Sequence, residues 1–243
     1  MRIIYCDSVI DDKIIEPDYH EEKDAAINAG FGFSLFSFEQ LIDGNIVKSL
    51  RNVPPADEVE SAIYRGWMMT PSEYQSFYDE LLNKNIKLIN SPEEYKHCHY
   101  LPESYSIIES LTPKSYWFNK LDDQAIVKLK EQFGNQPIIV KDFVKSEKHH
   151  WQEACFIPDA SNKDCVQAVV ERFLDLRGDA LNEGLVFRKF EELEFLTTHS
   201  QSGMPLTKEF RMYFANGKLV QTFDYWTRAI MATWFQTLRC LMK

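Results

Sequence analysis

The sequence predicts a mixed chain whose first third is an α/β unit built on a parallel sheet. Three observations predict it. Short β-prone runs alternate with helix-like segments in that first third. Two helix starts in the same region carry the same capping signature. Far downstream, Asn216-Gly217 sits between two β-rich runs and marks a hairpin.

Taken in order, residues 3–6 form an apolar, β-prone first strand, and residues 20–29 a polar helix ending at Gly30. Residues 32–36 and 62–64 are further strands. Thr70-Pro71-Ser72-Glu73 is a capping box with proline in the first helical position. The helix it opens places Tyr74, Phe77, Tyr78, Leu81 and Leu82 on one stripe and breaks at residues 83–85. A strand over residues 86–89 follows, and Ser91-Pro92-Glu93-Glu94 repeats the cap. The stretch between Pro102 and Gln136, with Pro113 and Gly134, marks a boundary. Beyond it come a buried strand over residues 137–140, ending in Lys141-Asp142, and a helix over residues 164–177. That helix turns Cys165, Val166, Val169, Val170, Phe173 and Leu174 inward. Residues 185–190 form another strand.

The hairpin over residues 209–223 is the sharpest expectation. A two-residue turn pairs Phe214 with Leu219, Met212 with Gln221 and Phe210 with Phe223 on one face. Glu209, Arg211, Tyr213, Val220, Thr222 and Asp224 then share the other. One arginine and two carboxylates on one face make either a site or an ordinary charged surface strand.

Composition narrows the function classes. The chain has 243 residues, 44% of them hydrophobic and 26% charged, which excludes disorder and collagen-like repeats. The 37 Asp and Glu against 27 Lys and Arg give a net charge of -10, a poor match for a nucleic-acid backbone. No apolar run reaches the roughly 18 residues of a membrane helix, and the first residues turn polar too soon for a signal peptide. The cysteines Cys6, Cys98, Cys155, Cys165 and Cys240 follow no disulfide or zinc spacing, so free thiols and a cytoplasmic protein are expected.

Several short motifs fail their own tests. Gly30-Phe31-Gly32 has Leu35 where a dinucleotide fingerprint needs its third glycine, and suits a helix C-cap and turn. His97-Cys98-His99, read as a strand, sends neighbouring ligands to opposite faces, and His149-His150 lacks HExxH context. No nucleophile elbow, covalent nucleotidyl-transfer lysine motif or kinase Asp-Phe-Gly is present. Lys141, at a strand end with Lys145 and Lys148 behind it, suits phosphate as a point charge, or else it opens an ordinary solvated loop.

Four segments, in order and spacing, resemble ATP-grasp domain proteins. They are Tyr64-Arg65-Gly66-Trp67-Met68, the run Ile138-Ile139-Val140-Lys141-Asp142-Phe143-Val144-Lys145-Ser146, Gly184-Leu185-Val186-Phe187-Arg188-Lys189-Phe190, and Glu209-Phe210-Arg211-Met212-Tyr213-Phe214. The branch they are most similar to occurs in bacteria and phages and is named for two arginines and a lysine. The resemblance implies an α/β pre-ATP-grasp domain over residues 1–110, then an ATP-grasp fold of two α+β subdomains, incomplete at its C-terminal end, over residues 111–226. An atypical tail covers residues 227–243. It implies Mg²⁺ and ATP as cofactors, no membrane or nucleic-acid partner, and ATP-dependent joining of a carboxylate to an amine through an acyl phosphate.

Carried over position by position, the resemblance implies that Lys141 contacts the ATP α- or β-phosphate and that Lys145 lies in the loop covering the phosphates. The strand and hinge from Val186 and Phe187 to Phe190 lie beside adenine, with backbone groups reading the base. Arg188 and Arg211 are the two named arginines, Arg211 facing the γ-phosphate, and Arg65 serves the substrate or phosphate side. Plainer readings pair Arg188 with Glu191 or Glu192, and let Arg65 close a domain contact. The family's usual Mg²⁺-binding glutamate and asparagine have no counterpart after Trp226, since residues 227–243 contain no Asp, Glu or Asn. Glu209 and Asp224 are the substitutes nearest to hand for the metal. The tail also carries Ile230, Met231, Trp234, Phe235, Leu238 and Leu241 at helix-like spacing. The chain is therefore expected to be truncated or altered near residue 227. Two alternatives to the ligase follow: a nucleotide-binding module without transfer chemistry, and a partner-binding protein that uses the apolar tail.

Overall fold

A computed structural model describes residues 1–226. The tail expectation, including its apolar stripe and Cys240, lies outside the described residues. The chain forms two compact units, Met1–Ser104 and a second beginning at Tyr105.

In the first unit, β1 (Arg2–Cys6), α1 (His20–Asn28), β2 (Gly32–Phe36), α2 (Phe38–Ile42), α3 (Ile46–Ser49), β3 (Glu60–Arg65), α4 (Pro71–Leu82), β4 (Ile86–Leu88) and α5 (Pro92–His99) follow one another. The four strands pair in the order β2-β1-β3-β4, all parallel, as the alternation predicts. Both faces are covered, which is why these strands are apolar on both sides. Ile4, Cys6, Phe36 and Ala62 pack with Tyr74, Phe77 and Leu81 of α4. Ile3, Tyr5 and Leu35 pack on the opposite face against Tyr19 and Ala26.

Both capping boxes form. Thr70 accepts from the Glu73 N–H while the Glu73 carboxylate accepts from the Thr70 N–H, and Ser91 and Glu94 repeat this. Of the expected α4 stripe, Leu82 is exposed instead, because it falls on the edge of the 3.6-residue face that Tyr74, Phe77 and Leu81 share. His97, Cys98 and His99 close a helix, not a strand, and the His99 Nδ1 lies 2.8 Å from the Tyr95 carbonyl.

The helix α6 (Leu101–Ile108) leads to β5 (Ser115–Phe118), α7 (Asp123–Phe133), β6 (Ile138–Asp142), α8 (Trp151–Ala154), β7 (Phe156–Ile157), α9 (Lys163–Arg177) and β8 (Leu185–Lys189). Strands β5-β8-β6-β7 form one antiparallel sheet. Its first face is core: Ile138, Val140, Leu185 and Phe187 pack on Leu129 and Phe133 of α7 and on Val166, Val169, Val170 and Phe173 of α9. Cys165 and Leu174 pack at the rim of that core, only partly buried. The strand β6 alternates between buried and half-buried residues and is not buried throughout. Two ribbons follow, β9 (Phe195–Thr198) with β10 (Pro205–Thr207), and β11 (Phe210–Ala215) with β12 (Lys218–Asp224). Among the described residues no helix is long and apolar enough to cross a membrane.

The β11–β12 turn is as the sequence predicts: Asn216 and Gly217 both have positive φ, 50° and 72°, and Phe214 opposes Leu219. The register beyond it differs. Met212 opposes Thr222, Arg211 opposes Phe223, and Phe210 opposes Asp224. Val220 is the extra residue of a β-bulge, and one inserted residue moves every later side chain to the other face. Both faces of this ribbon are exposed, so no apolar alternation enforces the simple register.

Candidate functional site

The second face of the four-stranded sheet carries the charge. In an antiparallel pair, directly opposed residues share a face. Ile139 opposes Arg188, and Lys141 opposes Val186. Lys141 and Arg188 are therefore diagonal neighbours on one face, both half-buried. Burial, then the adjacent Arg188, pull the Lys141 ammonium below the ordinary lysine range. Burial likewise lowers Arg188. Arg188 donates to Thr112 Oγ1 at 2.9 Å and not to Glu191 or Glu192; Glu191 pairs with Lys189 at 3.0 Å. Among the described residues neither Lys141 nor Arg188 has a carboxylate ion-pair partner. Two neighbouring half-buried cations, neither in a carboxylate ion pair among the described residues, make this part of the sheet face locally positive.

The loop after Lys141 is held by a residue the sequence reading passed over. Asp142 is 0% exposed. Its Oδ1 accepts from the Val144 N–H at 2.7 Å and from the Lys145 N–H. Its Oδ2 accepts from the Asn182 backbone N–H at 3.1 Å and side chain at 2.9 Å, and meets the Arg177 guanidinium at 3.1 Å. Arg177 reaches on to Glu147 at 3.2 Å. Lys145 is thereby turned outward, its side chain exposed. An Asp beside a Lys on a strand gives no sequence signal for this, since Arg177 and Asn182 lie 35 and 40 residues away and only Val144 and Lys145, two and three residues on, are local.

The adenine expectation needs correction in part. Strand β8 has a hydrogen-bonded neighbour on each side, so the backbone groups of Val186 and Phe187 are committed to the sheet. The Phe187 side chain is core, and Val186 is buried on the Lys141 face. The Phe190 N–H donates to the Pro137 carbonyl at 3.0 Å. Its ring, instead, joins an aromatic cluster with Trp151 and Phe156, centroids 5.8 and 5.1 Å away. Phe156 opposes Ile139 and so lies on the Lys141 face. Trp151 and Phe156 went unread because their sequence neighbourhood carries no motif.

The remaining expected residues lie on other elements. Arg211 is exposed on the ribbon, its guanidinium 4.8 Å from the Tyr225 ring centre. Glu209 accepts from Thr207 Oγ1 at 2.7 Å and Trp226 Nε1 at 3.3 Å. With the observed register Asp224 lies on the Phe210 face, opposite to Arg211, which corrects the expectation that Arg211, Glu209 and Asp224 share a face. Glu209 and Asp224 therefore do not form a carboxylate pair, and among the described residues no group of three or more His, Cys, Asp or Glu is placed to hold a metal ion. The Glu209–Asp224 pairing expected for the Mg²⁺ that the resemblance implies is therefore not formed. Arg65, in the first unit, is bidentate to Glu22 at 2.6 and 2.5 Å, which neutralises it.

Comparison with known proteins finds a likeness to ATP-grasp domains over part of the second unit, where this sheet and its cation pair lie. The matching family is the ATP-grasp domain, R2K clade family 3, over residues 132–237. Among solved structures, the chain is similar to a RimK domain ATP-grasp protein from Sphaerobacter thermophilus, at 13% identity and TM-score 0.49 over 80% of this chain and 66% of that one. It is also similar to a D-alanyl-alanine synthetase A from Vibrio cholerae, at 11% identity and TM-score 0.47 over 99% and 80% of the two chains. No curated protein matches the chain.

Proposed function

We propose that the second unit binds ATP with its phosphates at Lys141 and Arg188, with Lys145 in the loop above them and the Trp151–Phe156–Phe190 cluster flanking the base. The observation that carries this reading is the half-buried cation pair, which has no carboxylate partner among the described residues. A polyphosphate supplies the missing charge and suits both a point-charge lysine and a forked guanidinium. Arg211 takes the γ-phosphate in this reading.

The reaction is carboxylate–amine ligation in the cytoplasm of a bacterium or its phage. A carboxylate oxygen attacks the γ-phosphorus and ADP leaves; the amine nitrogen then attacks the acyl carbon and phosphate leaves. Lys141 and Arg188 contribute charge neutralisation and positioning of the phosphates. The four described cysteines, all free thiols, agree with a reducing compartment.

Calorimetric titration with ATP, with and without Mg²⁺, tests the binding. Lys141→Ala, Arg188→Ala and Arg211→Ala are each expected to weaken it at least tenfold, about 1.4 kcal/mol. Unchanged affinity in folded Lys141→Ala and Arg188→Ala proteins would refute the site. A second reading, nucleotide binding without phosphoryl transfer, is favoured by the opposite faces of Glu209 and Asp224. ADP release over a panel of carboxylates and amines separates the two.

A further inference from the structure

A pocket of about 390 Å³ opens in the first unit where β1 and β2 end, its lining including Asp7, Ser37, Glu39, Gln40, Lys48 and Arg51. Asp7 directly follows β1, and Ser37 directly follows β2. In open parallel α/β sheets the carboxyl ends of the strands are where ligands sit. Two acceptors in this pocket have no donor. Asp7 is 2% exposed, yet its Oδ1 makes no hydrogen bond, and the buried Gln40 Oε1 makes none either. Leaving such a group unpaired costs free energy in a folded protein, and natural structures keep few of them without a use. A buried acid group among the lining residues, with an oxygen that no donor reaches, suits a ligand that brings N–H donors and positive charge.

The pocket's charges point the same way. Asp7, Asp11, Asp12 and Glu39 line it against Lys48 and Arg51, and Arg51 is already taken by Asp12. The carboxylates of the lining outnumber its cations, which suits a ligand with a positive charge. The volume exceeds that of a bare ammonium ion and leaves room for a small carbon skeleton. We propose that the first unit holds a ligand site of its own, in which Asp7 and Gln40 bind the primary ammonium group of a small molecule. The site lies wholly within that unit and stands whether or not the second unit binds ATP.

Titration of the full chain with putrescine, with butanediol as the uncharged control, tests the proposal. The expected result is that putrescine binds and butanediol does not. Asp7→Asn, which keeps the shape and removes the charge, should weaken binding at least tenfold. Gln40→Met should weaken it in the same direction and carries the test if the Asp7 variant does not fold. Glu171→Gln makes the same change in net charge on an exposed position of α9 and should leave binding unchanged. Absence of putrescine binding at about 10 mM, equal binding of butanediol, wild-type affinity in folded Asp7→Asn, or equal loss in Glu171→Gln would each overturn it.

Discussion

Replacing Asp142 by Ala should destabilise the second unit by about 3–5 kcal/mol. The side chain is fully buried and serves five donors: the Val144 and Lys145 N–H groups, both nitrogens of Asn182, and the Arg177 guanidinium. Arg177 is 12% exposed at its side chain, and its Nε is already without a partner. Removing one member of a buried ion pair leaves the other charge uncompensated, which costs about 3–5 kcal/mol. Glu147, at 3.2 Å, keeps part of the Arg177 charge balanced and holds the loss within that range. With a urea m-value of about 2 kcal/mol/M, the midpoint should fall by about 2 M. Tryptophan fluorescence follows it, since Trp117 and Trp151 report on this unit. Asp142→Ala with Arg177→Met should cost much less than the sum of the single changes, because the orphaned charge is gone. A loss below about 1 kcal/mol in Asp142→Ala, or strict additivity in the pair, would refute the assignment of Asp142 as the anchor of the Lys141 loop.

Three further outcomes are expected. A Cβ on Gly184 would lie 2.3 Å from the Phe118 carbonyl oxygen and 2.7 Å from the Phe143 ring, so Gly184→Ala should cost about 1–3 kcal/mol, read as a lowered midpoint in urea. Thr70→Ala removes one half of the α4 capping box and should cost about 1 kcal/mol, visible as a fall in thermal midpoint. Burial, then Glu39 and Asp12, push the Asp7 carboxyl from 3.8 up to about 7. The native state therefore holds a proton that the unfolded chain has lost, and stability falls as pH rises from about 4 to about 7. The full shift corresponds to at most about 4 kcal/mol, less whatever pocket water screens. Asp7→Asn should flatten that slope and be the more stable protein at pH 8, which denaturation across pH measures; a slope unchanged by the substitution would refute the shift.

Much of this was legible in the chain. Caps, turn residues and apolar spacing act over a few residues, so the β1–β4 alternation, both capping boxes and the Asn216-Gly217 turn could be read directly. The family-like runs around Lys141 and Arg188 could be read too, because strand alternation and residue type are local. The bulge at Val220 could not, since an exposed ribbon has no buried face to betray its register. Nor could the commitment of the Val186 and Phe187 backbone to two neighbours, which depends on β8 being central.

The sequence by itself determined the classes of element, the parallel character of the first sheet and the cations available for an anion, because each follows from residue chemistry at short spacing. Only the tertiary structure decided which charges meet. It set Arg188 beside Lys141, turned Asp224 away from Arg211, gave Arg65 to Glu22, and buried Asp7 and Asp142 with opposite fates. Asp142 found five donors where the chain crosses itself, whereas Asp7 was left with an open oxygen at the end of a strand. The difference is physical: a carboxylate's behaviour is set by the donors and dielectric around it, and those come from segments remote in sequence.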